Sequence, residues 1–123
     1  MIWHYSDDQH FYYLTLKPNG WEIGKRDPAY RGDQRFLVSD KLPIYYFNTW
    51  YDIRVVQVGS TMAVWVNGQP LARFTDQSPY TEGRVGLYAE DAYAQFADVQ
   101  VEPANSAALT DPTRGAGAAS TSR

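Results

Sequence analysis

The chain has 123 residues, of which 44% are hydrophobic and 20% charged, enough for one small globular core and too few for two full-sized domains. Ten Tyr, five Phe and four Trp stand against two Met, a balance that favours pleated surfaces over a helical bundle. The net charge of −3 and the lack of cysteine speak against nucleic acid or an anionic membrane as partner and exclude disulfides, thiolate catalysis and thiolate-held metals.

The first residues, Met1 to Tyr5, have neither the basic nor the apolar region of a signal peptide, and no apolar run approaches the ~20 residues that span a bilayer. Short strands are predicted over 2–5, 10–17, 21–26, 35–39, 50–58, 61–67, 70–76, 84–89 and 94–102. Turn residues separate them at the spacing of an all-β sandwich or barrel. Asn-Gly pairs in Lys17-Pro18-Asn19-Gly20 and Val66-Asn67-Gly68-Gln69, and Gly59-Ser60 after Val58, mark tight hairpins.

Period-two alternation assigns the faces. Tyr12, Leu14 and Leu16 oppose Phe11, Tyr13 and Thr15; Met62, Val64 and Val66 oppose Thr61, Ala63 and Trp65; Val85 and Leu87 oppose Arg84, Gly86 and Tyr88. The Met-Val-Val side is expected in the core. The pattern Ile53-x-Val55 changes phase at Val56-x-Val58, which predicts a β-bulge near Val55 and Val56. Residues 1–102 read as one β-sandwich domain. Residues 103–123 hold a single large apolar residue, Leu109, and read as a disordered Ala/Ser/Thr/Gly-rich tail.

The run from Asn48 to Asp76, with Trp50-Tyr51-Asp52-Ile53-Arg54, the Val66-Asn67-Gly68 turn and Arg73-Phe74-Thr75-Asp76, is similar to the concanavalin A-like lectin/glucanase superfamily. Glu82 to Ala89, Phe96 to Val101 and the aromatic run Ile2 to Leu16 extend the resemblance over about residues 2–102, in the branch of 3-keto-disaccharide hydrolases and family 16 glycoside hydrolase-like domains. The resemblance implies an all-β antiparallel jelly roll, an extracellular or periplasmic setting and a glycan ligand bound on one sheet. Members carry further strands before the equivalent of Ile2, so the resemblance also implies a missing N-terminal segment, or a homodimer that covers the exposed strands. A complete smaller sandwich is the alternative.

The Glu-x-Asp-x-x-Glu strand motif of family 16 glycoside hydrolases proper is absent, so no catalytic carboxylate pair is assigned. Asp7-Asp8 and Glu90-Asp91 fall at expected turns, where adjacent carboxylates point apart, and His4 and His10 show no partner in sequence. What remains is the polar and aromatic side opposite the core: Tyr13, Arg54, Trp65, Arg84 and Tyr88, with Asp52 and His4. Rings stack on the C–H face of a pyranose while Arg and Asp bond its hydroxyls. These seven residues are the expected carbohydrate site. The alternative for Trp65 is packing against the tail, a neighbouring strand or the missing segment. Superfamily relatives often hold structural Ca²⁺ near the last strand, which makes Asp98 a candidate ligand. The chain thus reads as a lectin-like, carbohydrate-binding module. The alternatives are an enzyme acting on keto-disaccharides and a structural or oligomerisation domain.

Overall fold

The computed structural model describes residues 1–89, 92–111 and 117–122, the last as backbone only. Among them lie ten strands: β1 (Ile2–Asp7), β2 (His10–Lys17), β3 (Gly20–Arg26), β4 (Gln34–Asp40), β5 (Thr49–Val58), β6 (Thr61–Val66), β7 (Gln69–Thr75), β8 (Arg84–Gly86), β9 (Tyr93–Ala97) and β10 (Gly117–Ser122). They form two five-stranded antiparallel sheets, ordered β4-β3-β2-β1-β8 and β7-β6-β5-β10-β9. The expected all-β antiparallel fold class is therefore observed. Helical structure is confined to two 3-10 turns, Arg31–Asp33 and Ser106–Thr110, so no helix among the described residues is long and apolar enough to cross a membrane. The chain divides into two compact units, Met1–Tyr46 with Tyr80–Ala89, and Phe47–Pro79 with the chain from 90 onward.

The first unit is built on the β2–β3 hairpin, in which Lys17 pairs with Gly20 and Phe11 with Arg26. One face holds Tyr12, Leu14, Trp21, Ile23 and Lys25, all buried, while Phe11, Tyr13 and Thr15 on the other are half-exposed. Trp3 stacks on Tyr12 with centroids 5.5 Å apart. Val85 and Leu87 break the expected alternation, being 37% and 46% exposed. β8 is a three-residue edge strand, and an edge does not enforce one wet and one dry side.

Tyr80 ties the returning chain to this sheet. Its amide donates to the Tyr12 hydroxyl at 3.0 Å, and its own hydroxyl lies 2.6 Å from Asp27 Oδ2 and 2.8 Å from the Arg26 carbonyl. Lys25, fully buried, lies 5.0 Å and 5.3 Å from the ring centroids of Tyr80 and Tyr30 and 4.0 Å from Asp27 Oδ2. Its charge is thus met by two π faces and a carboxylate. Burial pushes the Asp27 carboxyl up, but the Tyr80 hydroxyl, the Ala29 amide and Lys25 together hold it below the ordinary value.

In the second unit β5 and β6 pair without interruption from Ile53–Val66 to Val58–Thr61, so the bulge expected at Val55–Val56 is absent. The register shift lies instead in the β6–β7 pair, between Val64 and Trp65. The apparent phase change has a simpler cause: both sides of these strands are covered. Met62, Val64 and Val66 are buried as expected, and Ala63, Trp65 and Arg54 on the opposite side are buried too. An apolar residue on either side then satisfies the strand, and the pattern carries no phase information.

The covering on the Trp65 side comes from the segment expected to be a disordered tail. Asn105 caps the Ser106–Thr110 turn, its side chain accepting from the Ala107 amide at 3.1 Å. Ala108 and Leu109 are buried in one cluster with Val56, Ala63 and Trp65. Further on, β10 pairs with both β5 and β9 through its backbone. Leu109 orders its neighbourhood because a preformed apolar surface awaits it, which the segment's composition cannot reveal.

Two stability predictions follow from these contacts. Gly83 sits at φ +137, and a Cβ there would come within 2.8 Å of the His4 Cα. Gly83→Ala is expected to lower the unfolding free energy by more than about 2 kcal/mol in urea titration; an unchanged midpoint refutes the packing described. Tyr80→Phe is expected to cost about 1–3 kcal/mol at neutral pH. Because Asp27's folded pKa lies below its unfolded one, its stabilisation is full above the unfolded value and is lost as pH falls through the folded value. The gap between wild type and Tyr80→Phe should therefore shrink below about pH 4, as read from urea unfolding across pH.

Candidate functional site

The half-exposed face of the first sheet is assembled by register. Tyr13 pairs with Gly24 and Thr15 with Glu22, and Gly24 and Glu22 in turn pair with Phe36 and Ser39 of β4. A register shift between Ile23 and Gly24 inserts one extra residue, Leu37, into β4. That shift lets Phe36 and Ser39 share a face although their numbers differ in parity.

At the middle of this face the Tyr13 ring lies over the backbone of β3, where Gly24 makes room. A Cβ at position 24 would stand 2.7 Å from Tyr13 Cζ and 2.8 Å from the Arg35 carbonyl oxygen. Gln34 Nε2 donates to the Tyr13 hydroxyl, leaving the phenolic proton free to point elsewhere. Burial raises the phenol's pKa, the Glu22 charge adds to the rise, and the Gln34 bond works against both. The group is a protonated donor at neutral pH.

Toward the hairpin end Lys17 Nζ meets Glu22 Oε1 at 2.9 Å in a part-buried ion pair. Beside it opens a cleft of about 510 Å³ whose lining includes Lys17, Glu22, Phe36, Ser39, Asp40 and Lys41. This volume falls within the ~300–1,000 Å³ of ordinary small-molecule sites. The Phe36 ring is 60% exposed, and Trp21 Nε1 donates to the Leu42 carbonyl at 2.9 Å, which pins the chain that follows β4. The cleft therefore offers a flat apolar ring, a paired cation and anion, and further polar groups, within one sheet.

Of the expected site residues, Tyr13 lies on this face, and Arg84, exposed, pairs with Tyr5 at the other edge of the same sheet. Tyr88, 48% exposed, follows β8. His4 adopts φ 49 with Nδ1 buried and unpartnered, and burial lowers its pKa against the opposing effect of a backbone bond with Glu82. Asp52, Arg54 and Trp65 belong to the second unit. Asp52 is exposed, its amide held by Asn67 Oδ1 at 2.8 Å. Arg54 and Trp65 face each other across β5 and β6, the guanidinium 5.5 Å from the ring centroid, but at 6% exposure each neither is open to a ligand as placed. The expected open stacking surface at Trp65 is thus corrected: Ala108 and Leu109 cover it.

His10 has the partner that sequence did not show. Its Nδ1 lies 2.8 Å from Asp7 Oδ1, which also accepts from the Gln9 amide, and these bonds hold the Asp7 carboxyl below the usual range. Asp8 accepts instead from the Tyr5 hydroxyl, so the two adjacent carboxylates do serve different partners. Glu90-Asp91 lies outside the described residues. Asp98 is exposed at φ 53 beyond β9, and no group of three His, Asp or Glu able to hold a metal ion is present among the described residues.

Sequence reading missed Lys17, Glu22, Gln34 and Phe36. The hairpin register could have found the first two, since a two-residue turn after Lys17 places Glu22 on Tyr13's side. Phe36 was hidden by the extra residue in β4.

The comparisons agree with the fold. The 3-keto-alpha-glucoside-1,2-lyase-like domain matches residues 15–102, from within β2 to beyond β9, and so includes strands of both sheets and the whole cleft. No curated protein and no solved structure matches the chain. With most of its length in that match, the chain belongs to the 3-keto-alpha-glucoside-1,2-lyase-like domain family, as the resemblance in its sequence implied.

Proposed function

We propose that the chain binds a glucoside-type sugar in the cleft of β2, β3 and β4. The observation that carries this reading is the meeting of the exposed Phe36 ring with the Lys17–Glu22 pair in one open cleft of about 510 Å³. A pyranose stacks its C–H face on the ring, while Lys17 donates to its hydroxyl oxygens and Glu22 accepts their protons. Family membership supports a glycan ligand, and the family's 3-keto-alpha-glucoside chemistry suggests glucosides oxidised at C3 as the class.

A second reading, an elimination catalyst, is favoured by Tyr13. In a 3-keto-glucoside the ketone acidifies the C2 proton. A base that takes this proton lets the C1–O bond break, forming a C1–C2 double bond, and the leaving oxygen takes a proton from an acid. Glu22, paired with Lys17 at 2.9 Å, is the carboxylate placed to act as the base, and Tyr13, whose pKa is raised by burial and by the Glu22 charge, has the character of the acid.

Calorimetric titration with glucosides and their 3-keto derivatives tests the first reading. Phe36→Ala should weaken binding about 5- to 10-fold through lost stacking, and Glu22→Gln should weaken it further. Binding untouched by both changes removes the cleft from consideration. Chromatography of a 3-keto-glucoside incubated with the protein tests the second. Tyr13→Phe should cut its breakdown about 10²- to 10⁴-fold with affinity retained; equal breakdown by both proteins, or none by wild type, rules elimination by Tyr13 out.

A further inference from the structure

We propose that Arg54 and Trp65 form a second, covered binding site for a sugar bearing a carboxylate, a hexuronate, and that the Ser106–Thr110 turn is its cover. The site lies on other strands than the cleft and stands independently of it.

The argument begins with a charge that is not met. Arg54 is 6% exposed, cannot lose its proton, and makes no ion pair among the described residues. Its Nη2 donates to the Ala108 carbonyl at a long 3.3 Å, and its Nε is buried with no hydrogen-bond partner among the described residues. A buried guanidinium satisfied by one neutral carbonyl is expensive to keep, because desolvation is offset only when an opposite charge and a full set of acceptors surround it. Nε and Nη2 are the two parallel donors along one side of the guanidinium, the pair that a carboxylate engages with both oxygens. One of them is vacant and the other weakly occupied.

Trp65 supplies the rest of the site. Arg54 lies over its ring, and Val56 and Ala63 extend the same side as an apolar floor. The indole surface now covered by the turn would take the C–H face of a pyranose whose carboxylate reaches Arg54. The cover is small: Ala108 and Leu109 are its buried residues and residues 101–107 are exposed. Its hydrogen bonds among the described residues are internal to the turn, from the Asn105 cap, the Ala108 amide on the Asn105 carbonyl at 2.9 Å, Thr110 Oγ1 on the Ala107 carbonyl at 3.1 Å and the Asp111 amide on the Ala108 carbonyl, except for the one from Arg54. A turn that meets the sheet through two side chains and one hydrogen bond is the kind of segment that opens locally. The ligand would replace the Ala108 carbonyl with a charged acceptor and Leu109 with a sugar ring.

The test is calorimetric titration of the full chain with glucuronate, glucose and acetate. Glucuronate should bind at least about tenfold more tightly than either glucose or acetate, since only it uses both ring and fork. Asn105→Ala, which loosens the cover by removing its cap, should raise glucuronate affinity about fivefold. Arg54→Lys, which keeps the charge but removes the fork, should lower it about tenfold or more. In the wild-type chain glucuronate should also speed hydrogen exchange at the Ala108 amide, a readout that does not depend on any variant folding. Acetate or glucose binding as tightly as glucuronate, no glucuronate binding to wild type or Asn105→Ala, or an Ala108 amide whose exchange glucuronate leaves unchanged would each overturn the proposal.

Discussion

The two-residue turn at Pro18 and Asn19, which sets Lys17 opposite Gly20, is the constraint on which the first sheet depends. Strand side chains alternate, so sliding either strand by one residue would carry its whole set to the opposite side. A slip of β2 would turn Tyr12 and Leu14 to solvent and bury Tyr13, and a slip of β3 would turn Ile23 and Lys25 out and bury Glu22 and Arg26. The same register places Lys17 within reach of Glu22 and lays the Tyr13 ring over Gly24. Core and cleft are thus two consequences of a single pairing, and neither can be altered by a register change without destroying the other.

How much of this could be read in advance depended on whether a strand has one wet side. β2 has one, and its limits, His10 and Lys17, and its buried residues Tyr12 and Leu14 followed directly from alternation. The Asn67-Gly68 turn was equally legible, because φ values of 51 and 74 at successive residues are reached readily by that pair. From Ile53 onward the paired stretch of β5 and β6 is covered on both sides, and there the same rule produced a bulge at Val55 that does not exist. β4 shows the converse: a real shift opposite Gly24 left no mark in Phe36-Leu37-Val38, since any of the three could pass for the inward residue. The Lys17–Glu22 pair required the hairpin to be closed before its members could be seen together. Leu109 was obscured for another reason, because its ordering depends on a surface built some fifty residues earlier in the chain.

The two buried basic side chains among the described residues, Lys25 and Arg54, are accommodated differently, and the contrast bears on function. Lys25 is surrounded from within its own unit: Asp27 supplies the counter-charge, Tyr30 and Tyr80 supply π faces, and the Tyr80 hydroxyl keeps Asp27 ionised. Each group there has its role inside the fold, so the cluster needs no ligand to account for it. Arg54 shares the burial and one aromatic face but has no carboxylate beside it among the described residues. That difference is what the proposed hexuronate would remove, by bringing to Arg54 the counter-charge that Asp27 gives Lys25.

Family membership marks a glycan-related β-sandwich domain without choosing between binding and a reaction, because a shared sandwich supports both alike. The choice rests on proton inventory. Stacking and hydroxyl recognition need only Phe36 and a polar rim, both present whatever the protonation of the site. Elimination needs a carboxylate that stays ionised and a donor that stays protonated at the same pH, close enough to act on one substrate. Glu22, in its ion pair with Lys17, is the carboxylate on hand, and the burial of Tyr13 together with the nearby Glu22 charge favours the protonated donor. The negative charge that would make Glu22 a base thus also keeps Tyr13 an acid, so the two roles reinforce rather than compete with each other.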